Sequence, residues 1–257
     1  MFNINIYDNN TALKESINTL LLTAESLQDI AEYISIKIKE DGIHIHAMGD
    51  AKSIFTSAFI SSGVFSEMVV HDECVLNVKP KVLFNALKKI DIENADTLNL
   101  TMDYNDQSIK VLAQNRTLAQ RISINYMTNQ VDERSEPRSY FDAQAIINTN
   151  HLLKINQIAE TQDETLAIAI CENSISFSIE NDDVTYHMDV INNDESQLSL
   201  YVENPMRRVI ILKDFNCLLK AALLSEQVTI SLQEEAATCF EINLGDYTSI
   251  KYYLFTV

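Results

Sequence analysis

The sequence predicts an α+β protein of two similar domains, each with two helices on antiparallel sheets. Four short helical patterns are each followed by alternating apolar and polar residues, and their order repeats after about 140 residues. The stretch 125–139 is polar, contains Pro137 and has neither periodicity, which is typical of a linker. We therefore expect an N-terminal domain at 1–124, an interdomain connector at 125–139 and a C-terminal domain at 140–257.

Each predicted domain opens with an apolar helical spacing, followed by two alternating runs around a short turn. This pattern is typical of a helix and a β-hairpin. In the first domain the helix is predicted at 13–21 and the hairpin at 33–48. In the second domain the helix is predicted at 152–159 and the hairpin at 166–179. The first turn contains Asp41-Gly42, a strong hairpin-turn signal.

Each domain continues with a second helix of about three turns and further strands. The helix predicted at 82–90 precedes an alternating run at 96–102, and the helix predicted at 215–222 precedes one at 227–232. The two halves of the chain therefore share one order of elements.

The charge distribution separates the helices from the rest of the chain. The protein has 37 acidic and 19 basic residues, for a net charge of −18, and such a chain repels nucleic acid unless its bases are segregated. The four helix windows carry net charges of 0, +4, 0 and +3, which leaves −25 for the remainder. These windows are 9–22, 78–90, 148–160 and 206–224.

Lysines recur seven residues apart on two of these helices, which places them on one helix face. The pairs are Lys81 with Lys88, and Lys213 with Lys220. A solvated helix face is the ordinary interpretation of one such pair, but two equivalent helices with almost only bases favour a shared basic surface. That surface binds phosphates without reading bases.

An enzyme is the first alternative. Only four glycines are present, and no glycine-rich phosphate loop or nucleophile elbow can be written. His44 and His46 share a strand face but have no third metal ligand at a suitable spacing. An acidic cluster could in principle hold Mg²⁺ for phosphoryl chemistry, although a charged turn and strand edge is the commoner explanation. Its members are Asp182, Asp183, Asp189, Asp194 and Glu195.

Targeting and membrane signals are missing from the sequence. The first residues, MFNINIYDNN, lack the basic and apolar regions of a secretory signal. The longest apolar run is a few residues, far below the ~20 that span a bilayer. We expect no membrane association.

Several segments resemble the eukaryotic sliding clamp family, the proliferating cell nuclear antigens. The ending 250–254, IKYYL, resembles the LKYYL that ends these clamps, and 42–48 resembles their glycine-to-methionine strand. The segment 225–232 is similar to a strand of their last domain, and the start Met1-Phe2 also fits. The resemblance extends over essentially the whole chain, with low identity.

The resemblance implies the DNA-clamp fold, assembled as a homotrimeric ring whose helices line the hole. Such a ring encircles duplex DNA without sequence specificity, acts as a polymerase processivity factor and recruits replication and repair proteins. It implies no catalytic residue, no metal and no cofactor. Carried over by position, the DNA-facing residues are Lys14, Lys81, Lys88, Lys154, Lys213 and Lys220.

The resemblance also implies surfaces for neighbouring subunits and for partners. Ring closure pairs a strand near 116–124 with one near 174–179 of the next subunit, through Arg116, Ile122, Ile175, Phe177 and Ile179. Clamp-binding peptides of polymerases and other partners enter a pocket that matches Met48, Val131, Pro137 and Tyr253. Arg134 and Glu136 stand where the family usually carries apolar anchors, which implies a different peptide preference or weak binding.

The nearest alternative within this superfamily is one subunit of a heterotrimeric ring, such as a checkpoint clamp or an archaeal mixed clamp. A clamp loader is expected as a further partner. We expect a nuclear protein if the source is eukaryotic, a viral protein at sites of DNA replication, or otherwise a cytoplasmic protein.

Overall fold

The structure is a computed structural model of the 257-residue chain. It describes residues 2–7, 21–28, 30–49, 51–91, 94–103, 107–127, 136–137, 140–158, 165–180, 185–193, 197–234, 236–245 and 247–255.

The described part of the chain contains four α-helices. They are α1, whose described residues are 21–27, α2 (Pro80–Leu87), α3 (Thr149–Ile158) and α4 (Leu212–Ala222). A 3₁₀ turn covers Ser62–Val64. All of these helices are too short or too polar to cross a bilayer, a statement limited to the described residues.

Strands make up most of the remaining regular structure. The strands of the first half are β1 (Phe2–Tyr7), β2 (Ile34–Lys39), β3 (Gly42–Met48), β4 (Ile54–Ser61), β5 (Glu67–Val70), β6 (Cys74–Val78), β7 (Thr97–Asp103), β8 (Ser108–Gln114) and β9 (Ala119–Asn125). Those of the second half are β10 (Ala143–Asn148), β11 (Thr165–Cys171), β12 (Ser174–Glu180), β13 (Thr185–Ile191), β14 (Ser199–Val202), β15 (Met206–Ile211), β16 (Gln227–Leu232), β17 (Thr238–Asn243) and β18 (Thr248–Leu254).

The chain divides into two compact units. The first contains Met1–Met48, Ser57–Arg134 and Leu244–Ser249, and the second contains Gly49–Thr56, Ser135–Asn243 and Ile250–Val257. Each unit therefore includes a short segment from the other half of the sequence. The exchanged segments pair inside each unit: Ser61 N donates to Tyr247 O in the first, and Phe255 N to Ser53 O in the second. Most of the predicted connector lies outside the described residues, so its boundaries stay a prediction.

The repeat seen in the sequence is also present in the strand order. The order β5-β1-β7-β8-β9 in the first half has its counterpart in β14-β10-β16-β17-β18. Similarly, β4-β3-β2-β6 corresponds to β13-β12-β11-β15. Neighbouring strands pair in the antiparallel sense, for example β1 with β7 and β10 with β16. The predicted α+β class is confirmed.

Both predicted hairpins form. β2 pairs with β3 and β11 with β12, and in each strand the apolar residues of the alternating pattern are buried. At the first turn Gly42 has φ +149°, and a Cβ there would lie 2.2 Å from Ile60 O. Because that distance is far below a van der Waals contact, only glycine fits between the hairpin and β4.

Each unit packs its helices on its sheets through a narrow apolar face. In α4, Phe215 and Leu218 are fully buried, and Phe215 meets Phe240 of β17 edge-on, with ring centroids 5.9 Å apart. In α2, Leu83 and Leu87 are buried one turn apart, and Pro80 at the start suits the first helical turn. These faces fix which residues of each helix point to solvent.

The predicted interface through β12 is wrong in one respect. β12 pairs with β11 on one side and with β13 on the other, so its backbone has no free edge for another subunit. Ile175, Phe177 and Ile179 are core residues, each almost completely buried. The strand at this edge of the sheet is β13 instead.

Candidate nucleic-acid interface and partner site

The outer face of α2 is basic. Lys81 and Lys88 are both exposed, on the side opposite to the buried Leu83 and Leu87. The Lys88 ammonium lies 5.3 Å from the centroid of the Phe84 ring, a cation–π distance. This helix therefore presents two lysines two turns apart, as the sequence predicts.

Lys79, which precedes the first residue of the same helix, pairs with an acidic side chain of the protein itself. Its ammonium lies 3.0 Å from a Glu32 carboxylate oxygen and 4.9 Å from the centroid of the Tyr33 ring. The hydrogen bond to Glu32 is the main cause that raises the pKa of Lys79. The high positive charge of the 78–90 window therefore overstates the charge available to a ligand.

The outer face of α4 repeats the arrangement of α2. Lys213 and Lys220 are exposed and seven residues apart, while Phe215, Leu218 and Ala222 are buried. Asp214 lies in the first turn and Lys220 in the last, so both charges favour the helix dipole. α3 packs against α4 in the same unit.

On α3 the exposed side is polar, with a single lysine. Lys154 is exposed together with Asn150 and Gln157, one turn before and after it, and Leu152 and Ile155 are buried. Burial lowers the pKa of the half-buried His151, and the nearby Lys154 lowers it further. Lys14, the sixth predicted DNA-facing residue, lies outside the described residues.

Six strands end the three sheets of the described structure, and β9 and β13 are two of these edge strands. β9 ends the sheet of the first half, and β13 ends a sheet of the second half. Arg116 is exposed in the turn before β9, and Ile122 is half-buried within it. On β13, His187 Nε2 lies 3.0 Å from Asp189 Oδ1, and Asp189 also accepts a 2.5 Å hydrogen bond from Ser176.

The predicted partner pocket is represented in the second unit by Pro137 and Tyr253. The Tyr253 ring is tilted against Phe55, with centroids 5.9 Å apart, and its hydroxyl donates a 2.6 Å hydrogen bond to Glu136 Oε1. Burial, followed by this hydrogen bond, raises the pKa of Tyr253. Met48 is half-buried at the end of β3 in the first unit, and Val131 lies outside the described residues.

Lys251 contacts the same carboxylate and is not among the residues predicted for this site. Its ammonium lies 3.2 Å from Glu136 Oε1. Burial opposes the charge of Lys251, but the attraction of Glu136 and Glu241 outweighs burial and raises its pKa. Its only sequence signal is the alternation of β18, which places Lys251 and Tyr253 on one face.

The four free thiols differ in their exposure. Cys74 and Cys239 are buried, and burial is the main cause that raises the pKa of Cys239 to about 12. Cys171 is exposed at the end of β11, and Cys217 is half-exposed on α4. None of the four is in a disulfide.

The residues considered for metal chemistry do not converge in the described ranges. No group of three or more potential ligands occurs among them. His44 instead pairs with Asp41 at 3.0 Å and packs on Phe59, with ring centroids 4.7 Å apart. Of the acidic cluster only Asp189 is described, and Asp182, Asp183, Asp194 and Glu195 lie outside the described residues.

Comparison with known proteins identifies the relatives of this chain. The family model described as "Proliferating cell nuclear antigen, C-terminal domain" matches residues 137–257. Proliferating cell nuclear antigen 2 of Drosophila melanogaster is 20% identical over 238 residues, covering 92% of this chain and 93% of the relative. Proliferating cell nuclear antigen of Saccharomyces cerevisiae is 23% identical over 228 residues, covering 86% and 87%.

A solved structure matches the whole chain. The crystal structure of proliferating cellular nuclear antigen from Entamoeba histolytica superposes with a TM-score of 0.85 at 18% identity, covering 100% of this chain and 98% of that one. The chain therefore has the DNA-clamp fold. Together with the sequence matches, this likeness supports a divergent member of the proliferating cell nuclear antigen family.

Proposed function

We propose that this protein is a sliding clamp, a homotrimeric ring that encircles duplex DNA and tethers a DNA polymerase to its template. The family and the fold support a clamp as the general function. Tethering and recruitment need no bond-forming chemistry, so the proposal includes no catalytic residue and no cofactor.

The observation that carries the proposal is the position of the exposed helix lysines in a strongly acidic chain. Lys81 and Lys88 on α2 lie at places equivalent to those of Lys213 and Lys220 on α4, and Lys154 is exposed on α3. A basic face within an acidic protein localises the DNA phosphates, while the acidic remainder repels them. This distribution suits a ligand that is held by its backbone charge and can slide.

Ring closure is supported by the open edges of β9 and β13. β9 and β13 occupy the repeat positions of β18 and β4, and the latter two are hydrogen-bonded neighbours within the chain. The same pairing between chains joins β9 of one subunit to β13 of the next. This pairing is head-to-tail, so it forms a closed ring when the rotation matches, and it protects both exposed edges.

Partners of the ring follow from the same proposal. A clamp loader opens and closes it, and clamp-binding peptides of polymerases and other replication or repair proteins dock beside Pro137 and Tyr253. The proposed location is the nucleus of a eukaryotic cell, the site of DNA replication in the case of a viral protein, or otherwise the cytoplasm.

Charge reversal on the helices tests the proposal. The variant combines Lys81→Glu, Lys88→Glu, Lys213→Glu and Lys220→Glu, and polymerase product length is measured on primed circular DNA over a salt titration. We expect the variant to keep its fold and native mass but to lose long products, because phosphate contacts are replaced by repulsion. Unchanged product lengths at low and physiological salt contradict the proposal.

A matched control separates charge from position. Reversing Lys37 and Lys110, on the solvent sides of the strands β2 and β8, is compared with reversing only Lys213 and Lys220. The change in net charge is the same in both variants. We expect the strand variant to support products close to wild-type length.

The ring is tested by light scattering over a range of protein concentrations. A homotrimer has three times the chain mass of 29.1 kDa, about 87 kDa. A species that stays monomeric at all concentrations contradicts the homotrimer and favours a heteromeric ring with two other chains.

A further inference from the structure

The carboxylate of Glu136 lies over the outward face of β18. Lys251 and Tyr253 are two residues apart on that strand and therefore share a face, while the alternate residues Ile250 and Tyr252 are buried in the core. Glu136 Oε1 is 2.6 Å from the Tyr253 hydroxyl and 3.2 Å from the Lys251 ammonium. Glu136, the residue before Pro137, thus brings a charged acceptor to the hydroxyl of Tyr253.

The local charge balance at this face is negative. Glu241 of β17 also attracts Lys251, so two carboxylates share one lysine. The side chain of Glu136 keeps 38% of its surface exposed, which leaves it within reach of a bound molecule. Tyr253 itself is almost completely buried against Phe55. A ligand that approaches the ring edge therefore meets the carboxylate first.

The identity of a matching ligand follows from the cost of covering a charge. An aliphatic side chain placed here removes water from Glu136 without donating a hydrogen bond to replace it, which is unfavourable for a carboxylate. An arginine or lysine side chain replaces the lost water with a charge-assisted hydrogen bond. The site therefore discriminates between partners by charge as well as by shape.

We propose that the partner site of this clamp selects peptides with an arginine or lysine side chain that pairs with Glu136 beside Tyr253. The inference rests on the proposed function, because it assigns the chemistry of the peptide that docks at this site.

A selection from random peptides tests this inference. Phage displaying random 16-residue peptides are selected on the wild-type protein, on Glu136→Gln and on Glu203→Gln. Glutamine at 136 can still accept the Tyr253 hydrogen bond but has no charge. Glu203 is a matched control, because it accepts a 2.5 Å hydrogen bond from the exposed Tyr140 in the same unit. All three proteins are first compared by thermal unfolding and native mass.

We expect arginine or lysine to be enriched at one fixed position on the wild-type protein and on Glu203→Gln, and this enrichment to be lost on Glu136→Gln. A selected peptide and its copy with leucine at that position are then compared by fluorescence anisotropy. On the wild-type protein the cationic peptide should bind about tenfold more tightly, and on Glu136→Gln the two should agree within about threefold. The preference should shrink as salt is added.

Two negative results have different meanings. If peptides are selected but show the same consensus on the wild-type protein and on Glu136→Gln, the charge-based selectivity is refuted and the peptide site stands. If no peptide is enriched on any of the three proteins, the peptide site of the proposed function is refuted together with this inference. The helix charge-reversal experiment is independent of both results.

Discussion

The repeat predicts a specific contact across the proposed subunit boundary. Within the chain, Ser61, the last residue of β4, donates its N–H to Tyr247, the residue just before β18. The equivalent residues at the two open edges are Ile191, the last residue of β13, and Leu118, the residue just before β9. We therefore expect Ile191 of one subunit to meet Leu118 of the next.

The exposure of these two side chains gives the size of the effect. Leu118 is 50% exposed and Ile191 is 60% exposed in the isolated chain. Burying a whole leucine or isoleucine stabilises by about 1.5–3 kcal/mol, so half of one side chain contributes about 1 kcal/mol per boundary. Leu118→Ser therefore lowers the association constant about fivefold at each boundary, and about a hundredfold over the three boundaries of a ring.

The assay is sedimentation or light scattering across a concentration series, which gives the protein concentration at which trimers dissociate. Leu118→Ser and Ile191→Ser should each raise that concentration, and the double variant should cost less than the sum because both lose the same contact. Val82→Ser is the control, because Val82 is 48% exposed on α2 and belongs to neither edge strand. If the Leu118 and Ile191 variants dissociate at the wild-type concentration, or if Val82→Ser has an equal effect, the proposed equivalence of the Ile191–Leu118 contact between subunits and the Ser61–Tyr247 contact within the chain is refuted.

Three further predictions concern single residues. Gly42→Ala should lower the free energy of unfolding in urea by about 2–4 kcal/mol because of the clash with Ile60 O, whereas Gly63→Ala, with ordinary contacts of 3.7 Å or more, should change it by less than about 1 kcal/mol. The raised pKa of Tyr253 stabilises the fold fully below pH 10, and this stability is lost as the pH rises further. Tyr253→Phe should therefore have a flatter stability profile above pH 10, and an equally steep profile contradicts this assignment. A thiol reagent should label the exposed Cys171 in the native protein and leave Cys239 unreacted until unfolding, as read by mass spectrometry of peptides.

Local periodicity was sufficient to predict much of the fold. The helices α2, α3 and α4 lie where the apolar spacing predicts them, and the two hairpins form around their predicted turns. The lysine faces were predictable for the same reason, because the buried side of a helix fixes its opposite side. Lys79 shows the limit of this reasoning, since its pairing with Glu32 involves a residue 47 positions away.

The open sheet edge was not predictable from the same signals. β12 and β13 both alternate, and alternation reports which face of a strand is buried, not whether its backbone is paired on one side or on two. The number of neighbours of a strand depends on the whole sheet. The deep burial of Ile175, Phe177 and Ile179 is consistent with an interior strand, and the edge strand β13 has more exposed residues.

The partner site shows a different kind of limit. From the sequence, Glu136 is a polar substitution for an apolar anchor, and that alone suggests weakened binding. In the structure its carboxylate accepts a hydrogen bond from Tyr253, 117 residues further along the chain. A contact of that range has no local signature, and it changes the interpretation from a lost apolar contact to a gained charge. Glu136 does not belong to the helix lysines or to the open edges. Neutralising it should therefore change which peptides bind, while the native mass of the ring and the salt dependence of polymerase product length stay unaltered.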